Sequence, residues 1–235
     1  MNKIKNIHIY LDGMSIAEVK KFKSNQIKGY TYNPTLMSKI NTKNYLKTCK
    51  KLSEITYPKP ISLEVIADDE KSMINQAKIL SQINKNIYVK IPITYTNGKF
   101  TSNVMKELTR LKIKINITAI FSIHQVRKIL PHIKNTKSIL SIFAGRIHDM
   151  GEDAFKEIIK INKLLKKNKC KCKLLWASTR QIYDLVLAEK CGCKIITMGL
   201  SIYNKKNNFK KNWKNFSLDT VKTFYYDAVK SNFKL

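Results

Sequence analysis

Residues 87–120 read IYVKIPITYTNGKFTSNVMKELTRLKIKINITAI, and their pattern decides the fold. The stretch opens on one β-branched run, Ile87–Ile91, and closes on another, Ile115–Ile120. Between them a helical pattern starts at Thr101 or Ser102. A strand, a helix and a further strand make a βαβ unit, whose two strands lie parallel.

The same alternation runs outward to both ends. Further strand candidates are Asn6–Leu11, Gly29–Thr31, Ile61–Ile66, Ser138–Phe143, Lys173–Ala177 and Lys194–Thr197. Most are apolar on both faces, as buried parallel strands are. Helices are expected from Ser15 to Phe22, from Ser38 to Ile55, from Asp68 and Asp69 to Ile83, from Ser122 to just before Pro131, from Gly151 to Lys167, from Thr179, and from Ser217. The acidic start of the third suits the positive end of a helix dipole. The last carries Val221, Phe224, Tyr225, Ala228 and Val229 on one face, an apolar stripe expected to be buried. Eight βα units predict the α/β class and a single (β/α)8 TIM barrel domain over residues 1–235, with residues 203–235 forming a lysine-rich loop and a C-terminal extension helix. The alternative is an open, doubly wound sheet, which would show a glycine-rich first turn. After the first strand the chain instead reads Asp12-Gly13-Met14-Ser15.

Composition narrows the function classes. Lys+Arg number 45 against 16 Asp+Glu, a formal net charge of +29. Such an excess first suggests a nucleic-acid partner. Only Arg110, Arg127, Arg146 and Arg180 are arginine, however, and the lysines are spread along the whole chain. Phosphate-gripping surfaces favour the planar arginine fork. Lysine, asparagine and isoleucine also share AT-rich codons, so the charge reads as a solvated coat, and nucleic acid is not the expected partner. A hydrophobic fraction of 43% excludes a disordered polycation. No apolar run approaches the roughly 18 residues of a membrane span, and none suits a signal peptide. The cysteines Cys49, Cys170, Cys172, Cys191 and Cys193 are odd in number, which points to reduced thiols and a cytoplasmic location. Their two C-x-C pairs miss the usual zinc spacing, so no metal is expected.

Barrel enzymes place their chemistry at the C-terminal ends of the strands. There stand Asp12, then Thr31 and Asn33, Glu64, Lys90, Asn116 and Thr118, Ser141 and Phe143, with Arg146, Ser178 and Arg180 in the loops after strands six and seven. Lys90 lies between Val89 and Ile91, so its amine is either buried or at the strand mouth. Burial disfavours an ammonium, and a neutral amine attacks carbonyls. Asp12 and Glu64 are acids in otherwise apolar strands, which implies a task or a structural ion pair with Lys90. Asn116 and Thr118 share one strand face, as a site or as a satisfied hydrogen-bonded pair. Arg146 and Arg180 with Ser178 are either a phosphate seat or surface residues.

Taken in order, these segments resemble the transaldolase family, especially its short subfamily that includes fructose-6-phosphate aldolases. The resemblance spans roughly residues 7 to 200. It rests on Tyr10-Leu11-Asp12, Gly29-Tyr30-Thr31-Tyr32-Asn33-Pro34-Thr35, Ser62-Leu63-Glu64-Val65, Val89-Lys90-Ile91-Pro92, Asn116-Ile117-Thr118 with Phe121-Ser122, Phe143-Ala144-Gly145-Arg146 and Ala177-Ser178-Thr179-Arg180. It implies a class I, Schiff-base aldol mechanism within the pentose phosphate pathway. Lys90 would form an imine with the ketose C2 carbonyl. Asp12 would be the general acid and base at the C4 hydroxyl. Glu64 and Thr118 would hold the catalytic water. Thr31, Asn33, Asn116, Ser141 and Phe143 would form the substrate site, with Asn33, Asn116 and Ser141 on the three-carbon dihydroxyacetone unit. Arg146, Ser178 and Arg180 would bind the phosphate. No cofactor or metal is implied, because the protonated imine is the electron sink.

The resemblance also bears on the reaction. Transaldolases share Glu at position 64 and Phe at position 143, whereas fructose-6-phosphate aldolases carry Gln and Tyr there. The expected activity is transfer of dihydroxyacetone between sugar phosphates, with fructose 6-phosphate or sedoheptulose 7-phosphate as donor and an aldose phosphate as acceptor. The alternatives are cleavage that releases dihydroxyacetone, and a barrel without catalysis that binds an acidic polymer. Tyr32 stands where a second threonine is usual, Thr35 where serine is common, and Met198-Gly199-Leu200 where proline is usually nearby. Tyr32 is therefore expected to reshape the pocket. The family resemblance implies a homo-oligomer, a pentamer or decamer, joined through the C-terminal helix.

Overall fold

The computed structural model describes residues 6–40 and 44–234. In chain order its elements are β1 (His8–Asp12), α1 (Ile16–Lys21), β2 (Ile27–Thr31), α2 (Pro34–Lys39), α3 (Tyr45–Thr56), β3 (Ile61–Glu64), α4 (Glu70–Ile83), β4 (Ile87–Pro92), α5 (Ser102–Arg110) and β5 (Ile115–Ile120). There follow α6 (Ile123–Ile133), β6 (Ile139–Ile142), α7 (Ala144–Asp149), α8 (Ala154–Lys167), β7 (Lys173–Trp176), α9 (Asp184–Lys190), β8 (Ile195–Met198), α10 (Leu200–Asn204), a 3₁₀ segment (Lys205–Lys210) and α11 (Trp213–Lys230). The strands close into a parallel barrel in the order β1 to β8, and β8 pairs with β1.

All eight expected strands are present, each end within two residues of its expected position. Several helix expectations need correction. The helix expected over Ser38–Ile55 is two helices: α2 starts at Pro34 under an Asn33 cap, and α3 starts at Tyr45 under an Asn44 cap. Residues 41–43 of that expectation lie outside the described residues. α6 continues through Pro131 to Ile133. Proline removes only one helix donor, and the buried Leu130 and Ile133 hold the last turn against the core. α8 begins at Ala154, because the Asp153 side chain caps it by accepting from Lys156 N–H. Thr179 starts no helix: its hydroxyl donates to the Thr197 carbonyl, and α9 begins at Asp184. The expected loop over residues 203–215 is mostly helical, as α10, the 3₁₀ segment and the start of α11.

The two faces of the strands separate two kinds of packing. Outward residues such as Leu11, Leu63, Ile91, Ile117 and Leu140 are fully buried between barrel and helices. Inward residues form a second, smaller apolar cluster of Tyr10, Ile139, Leu175, Ala177 and Ile195, flanked by Tyr88 and Phe143. This cluster floors the barrel. Gly29 makes room for it, since a Cβ there would lie 2.5 Å from the Tyr10 ring. Two residues further along the strands, the inward positions become polar. These are Asp12 above Tyr10, Thr31 above Gly29, Lys90 above Tyr88, Ser141 above Ile139 and Thr197 above Ile195. The apolar floor thus sets a polar layer at the C-terminal mouth.

The C-terminal helix departs most from expectation. α11 has no buried residue: Val221, Phe224, Tyr225 and Val229 are all exposed, and Ala228 is half-buried. Trp213 at its start is 93% exposed. Among the described residues no helix is long and apolar enough to cross a membrane. Chemical denaturation checks the contrast between barrel and extension. Leu63→Ala, at a fully buried site, is expected to cost about 2–5 kcal/mol. Val221→Ala, on the exposed face of α11, is expected to change monomer stability by less than about 0.5 kcal/mol.

Candidate active site

The polar layer opens into a cavity of about 240 Å³ at the C-terminal mouth. Ten of the twelve residues expected from the sequence line it: Asp12, Thr31, Asn33, Lys90, Thr118, Ser141, Phe143, Arg146, Ser178 and Arg180. Glu64 and Asn116 do not, and each reaches the cavity through a partner.

Strand register brings the charged groups together. Glu64 on β3 stands opposite Lys90 on β4, and Lys90 Nζ lies 3.1 Å from Glu64 Oε2. Lys90 is 5% exposed. Tyr45 on α3 donates its hydroxyl to the Glu64 carbonyl at 2.5 Å, which ties the end of β3 to the helix layer. Asp12 on β1 stands opposite Thr31 on β2 and accepts the Thr31 hydroxyl at 2.9 Å. Burial holds the Asp12 carboxyl above the usual carboxylate range, while nearby Lys90 and the Thr31 hydrogen bond pull it partly back.

The amides serve less directly than expected. Asn116 is fully buried beneath the cavity; it donates to Ser62 Oγ at 3.0 Å and accepts from Ser141 Oγ at 2.7 Å. Ser141 is therefore the member of this chain that meets the cavity. Asn33 lines the cavity while its Oδ1 accepts the Leu36 N–H and caps α2. The Thr118 hydroxyl is buried with no partner among the described residues. A break in register after Ile117, with Ala119 at φ 58°, bends β5 next to it.

The late loops carry the arginines. α7 packs so closely on the loop after β7 that a Cβ at Gly145 would lie 1.7 Å from the Ser178 carbonyl oxygen. Ser178 itself holds a φ of 61°, unusual for a residue with a side chain. This contact sets Arg146 and Arg180 on one wall of the cavity. Arg146 lies over the Phe143 ring, 5.5 Å from its centroid. Arg180 pairs with Asp149 at the end of α7. Such a wall offers guanidinium and hydroxyl donors to an anion.

Tyr32 does not reshape the pocket. Its ring is fully buried on the outer side of β2, and its hydroxyl donates to the Met14 carbonyl at 2.7 Å. Thr35 and Gly199 line the cavity, as do Lys39 and Thr197, two positions that sequence reasoning left out. Lysine abundance hid the first, and threonine is too common in strands to stand out. The cysteines lie elsewhere: Cys49, Cys191 and Cys193 are buried, and Cys170 and Cys172 are half-buried in the turn before β7.

The sequence pattern of the Transaldolase/Fructose-6-phosphate aldolase family matches residues 9–234. A probable transaldolase of Clostridioides difficile is 31% identical over 223 residues, covering 90% of this chain and 99% of that one. A probable transaldolase of Clostridium kluyveri is 33% identical over 191 residues, covering 81% and 85%. Among solved structures, N-acetylneuraminate lyase from Mycoplasma synoviae superposes with a TM-score of 0.59 at 14% identity, covering 95% of this chain and 81% of that one. Thiamine phosphate pyrophosphorylase from Pyrococcus furiosus superposes with a TM-score of 0.53 at 12% identity, covering 84% and 87%. These two likenesses concern the barrel fold alone. The family match over nearly the whole chain is of a different kind, and with it the chain belongs to the transaldolase/fructose-6-phosphate aldolase family.

Proposed function

We propose that the protein is a transaldolase, moving a dihydroxyacetone unit from a ketose phosphate to an aldose phosphate through a Schiff base on Lys90. The observation that carries this reading is the Lys90 amine, buried at the cavity and 3.1 Å from Glu64, with Asp12 in the same cavity. Lys90 gives a proton to the paired Glu64, the freed amine adds to the donor's C2 carbonyl, and loss of water with return of that proton gives the protonated imine. Asp12 takes the C4 hydroxyl proton as the C3–C4 bond breaks, and the electrons pass to the protonated imine. An aldose phosphate leaves, and a three-carbon enamine stays on Lys90. The acceptor aldehyde then adds to the enamine, and Asp12 returns the proton to the new hydroxyl. Hydrolysis frees the product. Glu64 and the Thr118 hydroxyl, unpartnered among the described residues, suit a water that relays protons. Arg146, Ser178 and Arg180 suit the phosphate of donor and acceptor in turn.

Phe143 supports transfer over cleavage. It lines the cavity and presents no hydroxyl that could protonate the enamine and release free dihydroxyacetone. The reading places the enzyme in the cytoplasm, where thiols stay reduced, and all five cysteines are unpaired. Fructose 6-phosphate should be consumed rapidly only when erythrose 4-phosphate is present. Omitting the acceptor is expected to slow turnover by about 10²-fold or more, the lower end of what a positioned proton donor contributes. Release of dihydroxyacetone at a comparable rate without acceptor would make the enzyme an aldolase.

The same reading extends to assembly. The exposed apolar residues of α11 suit contact with further copies of the chain, and an apolar groove lined by Tyr45, Leu46, Ile66, Ile79 and Leu80 is available on the barrel. The expected state is a pentamer or decamer. Light scattering on the purified chain should return a mass several times 27.3 kDa, and a monomer at micromolar concentration would contradict it.

A further inference from the structure

Asp12 does not stand alone in the cavity. The Thr31 hydroxyl that donates to Asp12 Oδ1 at 2.9 Å also lies 2.5 Å from the Thr197 hydroxyl. Thr31 is 2% exposed and Thr197 4%, and both face the cavity. The barrel builds this row, since β1 lies between β2 and β8. The end of β8 is held in turn, because the Thr179 hydroxyl donates to the Thr197 carbonyl at 2.6 Å.

Hydrogen counting fixes the direction of the row. A threonine hydroxyl has one hydrogen and two lone pairs. When Asp12 is ionised it can only accept, so the Thr31 hydrogen points at Asp12. The contact between the two hydroxyls then requires Thr197 to donate to Thr31. Each donor polarises the next, which strengthens the bond to the carboxylate. When Asp12 carries a proton, the row can reverse: Asp12 donates to Thr31, and Thr31 donates to Thr197. Only hydroxyl hydrogens rotate, and no heavy atom moves.

We propose that Thr197 is a positioning residue for Asp12, acting through Thr31 as a reversible hydroxyl pair that keeps the carboxyl hydrogen-bonded in both protonation states. The proposal rests on Asp12 being the acid and base of the transfer reaction. Such a group must take a proton and return it within each cycle. A fixed donor would favour the carboxylate and oppose its protonation. The hydroxyl pair serves both forms without rearranging the cavity.

The pH dependence of kcat/KM for transfer from fructose 6-phosphate to erythrose 4-phosphate tests this. In the native enzyme the acidic limb should lie above the ordinary aspartate value of 3.8, because burial raises Asp12. Thr197→Val leaves Thr31 able to donate to the carboxylate but removes the acceptor that the Thr31 hydrogen needs once Asp12 is protonated, so that limb should move down by about 0.5–1 pH unit. Thr197→Ala, which cannot overpack the site, should do the same. Thr197→Ser keeps the hydroxyl and should return the limb to the native position. Circular dichroism identifies any variant that has not folded. An unmoved limb in both Thr197→Val and Thr197→Ala, alongside a moved limb in Thr31→Val, would overturn the role of Thr197 and leave the transaldolase reading standing. Full activity in Asp12→Asn would overturn both.

Discussion

The ion pair between Lys90 and Glu64 is the constraint to which the rest of the site answers. Two charges 3.1 Å apart at the mouth of a closed barrel have lost most of their water. Desolvating each costs roughly several kcal/mol, and their attraction offsets this only with good geometry and further hydrogen bonds. Parallel register supplies the geometry, since Glu64 and Lys90 are direct neighbours on β3 and β4. The polar layer supplies further polar neighbours, through Asp12, Thr31, Thr118, Ser141 and Thr197. The apolar floor beneath, built around Tyr10, Leu175 and Ile195, closes the barrel below this layer. On β1, β2, β4, β6 and β8 the inward positions run from an apolar residue or glycine to a polar one two residues later, and this pattern both stabilises the barrel and defines the cavity.

The anion-facing wall depends on a backbone contact rather than on charge. With a formal net charge of +29 the chain could attract anions almost anywhere, and surface charge of this kind mainly affects encounter rates. Discrimination needs fixed donors. Gly145 lets α7 press onto the Ser178 carbonyl, and that approach brings Arg146 and Arg180 to one wall. Asp149 holds the Arg180 guanidinium from outside the cavity, and Phe143 lies under Arg146. Half of the chain's four arginines are thus committed to one place, while the lysine coat remains dispersed.

What could be read from the sequence follows from contrast. Asp12, Glu64 and Lys90 stood out because a charge inside an apolar run is costly and therefore informative. Thr197 and Ser62 did not, because small hydroxyl residues are ordinary in strands and only the closed barrel shows what they face. Only Phe143 separates helix α7 from the end of β6, so in the sequence its residues read as the loop after that strand. Thr179 looked like a cap from its spacing, but its hydroxyl found the Thr197 carbonyl across the barrel mouth. The stripe on α11 was legible as a shared face, yet periodicity says which residues lie together and not what covers them. Tyr32 differs from expectation for a related reason: alternation at the end of β2 sends it outward, away from Thr31 and the cavity.

Every step of the proposed chemistry requires Lys90 to be the amine that becomes covalently linked to substrate. Borohydride reduction during turnover of fructose 6-phosphate, followed by peptide mass mapping, reads this directly. A reduced sugar adduct is expected on Lys90, with no trapped adduct in Lys90→Ala. An adduct on another lysine, or equal trapping in Lys90→Ala, would contradict this role for Lys90.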